Sequence, residues 1–183
     1  MTFKASIAVS AATLAMSTAV LAANPTVGGA PMLEDRNIVE NAVNSPIHTT
    51  LVAAVQAAGL VETLQGDGPF TVFAPVNDAF DALPEGTVET LLKPENKAML
   101  QKVLTAHVVA GDWSAADIIA AARASNDGFY HFNAVSGDAL SAQVKGSNVY
   151  IIDESGNASR VTVADVDQSN GVIHVVNAVL VPK

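Results

Sequence analysis

The sequence predicts an α+β fold in which helices come first along the chain and short antiparallel strands follow. Apolar residues recur at helical spacing as far as about residue 124, whereas short apolar runs separated by turns follow from Gly128 onward. Half of the 183 residues are hydrophobic, which is enough for one ordinary domain with a sizeable core. The sequence shows no internal repeat, so we expect one domain rather than a tandem array.

Residues 1–22 have the pattern of a secretory signal peptide. Lys4 precedes an Ala-rich apolar run over residues 7–21, which is shorter than a typical membrane span. Ala22 and Ala23 are alternative cleavage sites, and an uncleaved membrane anchor is the alternative interpretation. We therefore expect a secreted or periplasmic protein without a transmembrane segment after cleavage. The chain has no cysteine, which excludes disulfides, thiolate metal sites and a lipid anchor on cysteine.

Residues 23–34 have the composition of an irregular linker, since Asn24-Pro25, Gly28-Gly29 and Pro31 all favour turns. We expect a single domain over residues 35–183. Its first helix is indicated by apolar residues at helical spacing in residues 38–43, and a second helix follows Ser45-Pro46. Thr49 or Thr50 can cap this second helix and Gly59 can end it, with one further turn up to Leu64.

Residues 68–80, GPFTVFAPVNDAF, predict a short strand followed by a helix. The first four residues after the opening Gly-Pro are aromatic or β-branched, and Pro75 limits the strand because it cannot donate a ladder hydrogen bond. Asn77 or Asp78 can cap the helix that follows, and Phe80 can pack it against the core. This segment contains no nucleophile and no cluster of metal ligands.

The remaining elements follow from the same patterns. Short helices are indicated over residues 87–92, from Pro94 to about residue 107, and over the Ala-rich residues 115–124. Strands are then predicted at residues 108–109, 129–132, 140–144, 149–152, around 161–163, and 172–181.

Two segments resemble the two signatures of the fasciclin domain, a secreted adhesion-type module. Residues 68–80 resemble the first signature, and residues 169–182, SNGVIHVVNAVLVP, resemble the second. The resemblance covers about residues 36–183 and implies a fasciclin-like β-sandwich or wedge of short antiparallel strands, with several helices mostly in the N-terminal half. We expect the two signatures to pack side by side around His174. The signature residues with an expected structural role are Thr71, Phe73, Pro75, Asn77, Phe80, Asn170, Gly171 and His174.

Charge and residue spacing disfavour several functions. The formal net charge is −9, and loss of Lys4 with the leader makes it −10, which disfavours binding to nucleic acid or to an anionic membrane. No two of the four histidines lie three to five residues apart, so we expect no metal site and no cofactor. The sequence has no Gly-x-Ser-x-Gly elbow and no phosphate loop, so we expect a protein that is not an enzyme. A hydrolase built on one His or Asp is a third hypothesis.

The resemblance implies cell adhesion or contact with a cell-surface or extracellular matrix component. In animal members, an Asp followed by an aliphatic residue before the second signature is tied to partner binding, and Asp165-Val166 match that place. His107 matches the histidine of a second adhesion-linked patch, although Ala106 replaces its usual tyrosine. Asp165, Val166 and His107 are therefore the partner-binding candidates. The alternative is that Asp165 caps a turn or faces solvent.

A carrier of an apolar small molecule such as a carotenoid is the second functional hypothesis, because some family members carry such ligands. The aromatic run over residues 129–132, together with Trp113, can form the wall of a site for a flat apolar ligand. An aromatic strand that packs inward explains the same residues equally well.

Overall fold

The structure, a computed structural model, describes residues 24–182, so the predicted signal peptide lies outside the described residues. The described chain contains seven α-helices and nine strands. The helices are α1 (Ile38–Asn44), α2 (Thr49–Ala58), α3 (Val61–Leu64), α4 (Asn77–Asp81), α5 (Thr87–Leu91), α6 (Lys97–Thr105, after a 3-10 turn at Pro94–Asn96) and α7 (Ala115–Ala124). The strands are β1 (Thr26–Val27), β2 (Ala30–Pro31), β3 (Phe70–Pro75), β4 (Val108–Ala110), β5 (Phe129–Asn133), β6 (Ala139–Lys145), β7 (Asn148–Ile152), β8 (Ala158–Gln168) and β9 (Gly171–Val176).

Seven of these strands form one sheet in the order β4-β3-β9-β8-β7-β6-β5. Every neighbouring pair is antiparallel except β3 and β9, which run parallel with Phe73 opposite His174. The predicted α+β class is confirmed, and so is the expectation that the two signatures lie side by side. The parallel pairing was not predicted, because it joins strands that are far apart in the chain and leaves no trace in either strand alone.

The sheet curls so that its two ends approach each other. The backbone N–H of Val135, just after β5, donates to the carbonyl of Val108 in β4 at 2.7 Å. The register between β8 and β9 shifts on either side of Val163, and Asp165 lies within the second irregularity with a φ of 54°. Bulges of this kind bend a strand and redirect its side chains.

Strands β3 and β9 separate two hydrophobic clusters. The helical core lies on one side and contains Val72 and Ala74 of β3, Ile173 and Val175 of β9, and the apolar residues of α1, α2 and α6. The sheet core lies on the other side, where Phe73 packs with residues of α7 and of the C-terminal strands. The two faces of a strand carry alternate residues, so these two strands supply side chains to both clusters.

Asn77 caps a different helix from the predicted one. Its Oδ1 accepts hydrogen bonds from the backbone N–H and the neighbouring hydroxyl at the start of α2, namely Thr50 N at 3.1 Å and Thr49 Oγ1 at 3.2 Å. Val76 is the residue before α4, and no side chain caps that helix. The expected capping of α2 by Thr49 or Thr50 is likewise wrong, because His48 precedes the helix and the cap comes from across the fold.

The predicted linker, as far as the structure describes it, forms a small hairpin of β1 and β2. Val27 and Met32 are each 2% exposed and belong to the helical core. Strands of two residues are too short to show an alternating pattern, so they could not be predicted from the sequence. The division of the chain at residues 22 and 34 stays a prediction.

Candidate functional site

The contact between the two signatures is close and tightly hydrogen-bonded. A Cβ at Gly171 would lie 1.9 Å from the carbonyl oxygen of Phe70, so only glycine fits there. The preceding Asn170 accepts a hydrogen bond from Ile38 N at 3.0 Å, and its amide nitrogen donates to the carbonyls of Leu64 and Gly66 at 2.8 and 2.9 Å. One buried amide therefore ties the start of α1 and the end of α3 to the start of β9.

His174 connects the strand pair to the loop before α7. Its Nε2 donates to the carbonyl of Trp113 at 2.8 Å, and its Nδ1 accepts from the backbone N–H of Asp165 at 3.3 Å. The ring stacks on Phe73 with centroids 5.7 Å apart. Burial lowers the pKa of His174, although the Trp113 carbonyl and nearby carboxylates act in the opposite direction. The ring is therefore neutral at pH 7, as its acceptor bond requires.

Asp165 lies at the surface, and its carboxylate contacts the first turn of α7. Its Oδ1 accepts from the backbone N–H of Ala115 at 2.6 Å, beside the capping box that Ser114 and Asp117 form. Thr71 of β3 supports the same loop, because its hydroxyl accepts from Trp113 N at 2.9 Å. The alternative interpretation was that Asp165 caps a turn or faces solvent. In the structure its carboxylate is exposed and binds the start of a helix that is distant in the sequence.

The other two partner-binding candidates are buried. Val166 is 0% exposed and His107 is 2% exposed. His107 Nδ1 donates to the carbonyl of Val103, and its Nε2 accepts from the backbone N–H of Leu180, both at 2.8 Å. Burial lowers the pKa of His107 to about 4. A partner that meets the folded surface reaches Asp165 but neither of these side chains.

Two further signature residues also lie in the interior. Pro75 is buried at the end of β3 opposite Val176, and Phe80 is 5% exposed within the helical core. The last strand ends at Val176, five residues before the predicted end at 181. Beyond Val176 the chain leaves the sheet, and the backbone N–H of Leu180 donates to His107 Nε2 instead of to a neighbouring strand.

The aromatic run expected to form a ligand wall packs against the protein itself. Trp113 and Tyr130 have ring centroids 5.4 Å apart, Tyr130 and Phe132 are 5.3 Å apart, and Phe132 lies 6.0 Å from Phe73. The remaining space among these rings is about 10 Å³, roughly one water molecule. The inward-packing interpretation of this strand is the one that the geometry supports.

An apolar groove that the sequence did not predict opens on the helical side. Its cavity measures about 60 Å³. Aliphatic side chains dominate its lining, which also contains the rings of Phe70 and His107. The residues come from the first three helices and the junction between α2 and α3, from β3, from the region where α6 meets β4, and from the segment after β5: Ile38, Val39, Ala42, Leu51, Val52, Val55, Gln56, Leu60, Val61, Thr63, Leu64, Phe70, Val72, Leu104, Thr105, His107, Val108 and Val135. Leu51, Val52 and Val55 give α2 a broad apolar face. This face is the sequence feature that could have indicated the groove.

A polar cluster lies on the opposite, sheet side of the molecule. His131 Nε2 contacts Asp127 Oδ2 and its Nδ1 contacts Ser141 Oγ, both at 2.8 Å. The hydrogen bond from the Ser125 hydroxyl lowers the pKa of Asp127 most, and the hydrogen bond from His131 lowers it further. The His131 and Asp127 side chains are 62% and 52% exposed, so water surrounds them and nothing shields a reaction there.

No group of three or more His, Cys, Asp or Glu side chains within residues 24–182 is arranged to hold a metal ion. In the same range, each helix is too short or too polar to cross a membrane.

This chain is similar in sequence to several known proteins. The fasciclin domain model matches residues 46–182. Protein sll1483 of Synechocystis sp. is 51% identical over 145 residues, which make up 79% of this chain and 73% of that protein. The cell surface glycolipoprotein MPB83 of Mycobacterium bovis is 31% identical over 172 residues, or 88% of this chain and 68% of the relative.

A solved structure shares the fold. It is a FAS1 domain pair from the insect cell adhesion molecule fasciclin I, which matches with a TM-score of 0.70 at 16% identity. The match covers 83% of this chain and 52% of that chain, so this protein spans about half the length of the solved pair.

Proposed function

This chain belongs to the fasciclin domain family, and on that premise we propose that it is an exported, non-enzymatic binding protein acting in cell adhesion or in contact with a cell-surface or extracellular matrix component. Its relatives include a cell surface glycolipoprotein and, by fold, a cell adhesion molecule. The family is generally non-enzymatic and of an adhesion type. Export to the periplasm or to the outside of the cell is part of the same proposal.

The observation that best supports this proposal is the fixed position of Asp165. Its backbone N–H donates to His174, its carboxylate accepts from the start of α7, and its side chain is nevertheless exposed. A partner therefore meets a carboxylate whose orientation is set before binding, which reduces the entropy lost in the complex. Val166 contributes indirectly, because its burial anchors the strand next to Asp165.

The test is a binding measurement with paired variants of the protein purified after export. Asp165→Asn keeps an oxygen for Ala115 N and tolerates positive φ, but it loses the charge. We expect it to fold normally and to bind envelope or host-surface fractions about tenfold more weakly. Glu85→Gln is the control, since it removes an exposed charge on the helical side of the molecule. Unchanged binding by a folded Asp165→Asn protein would refute the assignment of this site.

A carrier of an apolar small molecule such as a carotenoid is the second candidate function, and the apolar groove is the observation that favours it. The groove lies apart from the aromatic run that suggested such a ligand. Its cavity of about 60 Å³ is well below the volume of roughly 300–1,000 Å³ that is usual for small-molecule sites. An absorption spectrum of the protein from its native source tests this function. A colourless preparation that ignores added polyenes contradicts it.

A further inference from the structure

The second signature contains Asn170-Gly171, the only Asn-Gly pair in the sequence. In such a pair the backbone nitrogen of the glycine can attack the side-chain amide of the asparagine, because no side chain on the glycine hinders the approach. Asparagine is accordingly one of the thermolabile residues. This pair is therefore the position at which we expect spontaneous deamidation of the chain to be fastest.

The fold requires both members of this pair. A Cβ at position 171 would lie 1.9 Å from the carbonyl oxygen of Phe70, so the contact between β9 and β3 needs glycine there. Position 170 needs a side chain that both donates and accepts, because its Nδ2 donates to the carbonyls of Leu64 and Gly66 while its Oδ1 accepts from a backbone N–H. An amide of the length of asparagine meets this need. The chemically labile pair is therefore part of the contact that joins the two signatures.

The same contacts oppose the reaction in the folded protein. Asn170 is 8% exposed, so little water reaches its amide. The nitrogen that would leave is hydrogen-bonded to two backbone carbonyls, and the main-chain carbonyl of Asn170 accepts from Phe70 N at 3.1 Å. Ring closure requires both the side chain and the backbone of the pair to move, and the contact with β3 holds both. Unfolding removes all of these restraints at once.

The deamidation reaction balances with water as its only co-reactant. The Gly171 nitrogen bonds to Cγ of Asn170, the bond between Cγ and Nδ2 breaks, and ammonia leaves with the proton that the Gly171 nitrogen carried. Water then opens the resulting succinimide ring at one of its two carbonyls. Opening at Cγ yields aspartate, and opening at the main-chain carbonyl yields isoaspartate, in which the backbone runs through Cβ and Cγ. No atom is oxidised or reduced.

Neither product of the reaction fits the folded structure. A carboxylate at position 170 has no hydrogen to donate, so the carbonyls of Leu64 and Gly66 would face a buried negative charge. Isoaspartate lengthens the backbone at the turn between β8 and β9, which displaces Gly171 from its place beside Phe70. A chain that has reacted therefore loses the contact between β3 and β9, whose side chains enter both hydrophobic clusters.

We propose that Asn170-Gly171 is a deamidation site that the fold shields, and that its reaction in the unfolded chain makes unfolding irreversible. The chain has no cysteine, so no disulfide limits how far it unfolds. Folding stability and chemical lifetime are thereby coupled, because each period spent unfolded removes a fraction of the chains from the folded population. This modification site is independent of the partner that the protein binds.

The test compares folded protein, expressed with its own leader and purified after export, with the same protein unfolded in guanidinium chloride at the same mildly alkaline pH. Trypsin cuts after Arg160 and releases residues 161–183, in which chromatography and mass spectrometry measure aspartate and isoaspartate at position 170. We expect the reaction to be at least about a hundredfold faster in the unfolded chain, since the folded protein reacts only when it opens. After removal of the denaturant, the refolded fraction should fall in step with the modified fraction, and the refolded protein should contain only unmodified Asn170.

Two variants separate shielding by the fold from the lability of the pair itself. Ser155→Asn creates a second Asn-Gly pair in a turn where Ser155 and Gly156 are both exposed. We expect this new site, measured in the tryptic peptide of residues 146–160, to deamidate in the folded protein at least about tenfold faster than Asn170. Asn170→Asp introduces one of the two products directly, and we expect it to lose the folded state as judged by circular dichroism at neutral pH.

Each of the opposite results would overturn the proposal. Equally fast deamidation of Asn170 in folded and unfolded protein would show that the contacts with β3 do not shield it. Full refolding of modified chains, or an Asn170→Asp protein as stable as the parent, would show that the fold tolerates the product. A folded Ser155→Asn protein whose new site reacts as slowly as Asn170 would show that burial and hydrogen bonding at position 170 are not the source of the protection.

Discussion

The two sides of the β3–β9 pair are packed in different ways. In the sheet core, stacked aromatic rings and a hydrogen-bonded loop leave a space of about 10 Å³. In the helical core, short helices with Val, Leu and Ala side chains leave an open groove of about 60 Å³. Aromatic rings fill the space beside β3 in the sheet core, whereas the smaller aliphatic side chains of the helical core leave part of their space open. The sheet core is therefore the more tightly packed of the two.

The largest effect is expected from a substitution that disrupts the β3–β9 pair, which both cores share. Gly171→Ala forces a Cβ to within 1.9 Å of the Phe70 carbonyl, at the point where β9 begins beside β3. We expect no folded protein, as judged by circular dichroism and protease resistance. Gly146→Ala is the control, since Gly146 also has positive φ but faces open space, and it should cost only about 1 kcal/mol. A folded Gly171→Ala protein would contradict the parallel contact.

Truncation of one side chain on each side compares the two cores directly. Phe73 is 1% exposed in the sheet core, so Phe73→Ala should lower the free energy of unfolding by about 3–5 kcal/mol. Leu60 is half-buried beside the groove, and Leu60→Ala should cost only about 1 kcal/mol because water already reaches the site. Urea unfolding measures both values. Equal losses would show that the groove is as tightly packed as the sheet core.

Acid should destabilise the fold through its buried histidines. The pKa of His107 in the folded protein is about 4, below its unfolded value of about 6.5, so the unfolded chain takes up the proton first as the pH falls. The stability from this residue is present above pH 6.5 and is lost as the pH falls to about 4, by about 3 kcal/mol. The lowered pKa values of His48 and His174 act in the same direction.

The measurement is the midpoint of urea unfolding between pH 7 and pH 4. His131→Gln serves as the control for the loss of a histidine, because the His131 side chain is 62% exposed. His107→Gln should flatten the profile while lowering the stability at pH 7. A wild-type profile that is flat across this range would show that the His107 ring is not held neutral.

The smallest expected effect has opposite signs on the two sides. Val55→Ile adds a methylene at the floor of the groove and should stabilise the fold by about 0.5–1 kcal/mol, since there is space to accept it. Val176→Ile adds the same group to a residue that is 0% exposed in the sheet core, where overpacking should cost about 1–3 kcal/mol. Thermal unfolding of both variants provides the test. Destabilisation by both would mean that the groove is not an empty space in solution.

Local patterns in the sequence were sufficient for most of the elements. The Ala-rich helix was expected over residues 115–124 and lies at Ala115–Ala124, and Gly59 ends α2 in a left-handed conformation as expected. The strands from residue 129 onward were also found, because alternation and turn residues act over a few positions. The family resemblance supplied the fold and the neighbouring positions of Phe73 and His174.

The candidate site was less predictable, since each of its features depends on residues distant in the chain. The sequence could indicate that Asp165 caps a turn, but only the fold brings its carboxylate to Ala115. Val166 lies between two aspartates in the sequence, yet its side chain points into the interior. His107 follows the apolar face of α6, and its ring is buried as that position indicates. The aromatic run that was expected to form a ligand wall packs inward. The groove lies on the other side of β3 and β9.

The sequence by itself determined that this chain is acidic, free of cysteine and rich enough in aliphatic residues to form one α+β domain. It also contained the two signatures, since their glycine, prolines and alternating apolar residues are local requirements of a close strand pair. Only the tertiary structure decided which signature side chains bond to which loops, that Asn77 caps α2, and that one core closes while the other stays open. Packing is decided by the distances between helices and strands, and those distances depend on contacts across the whole chain.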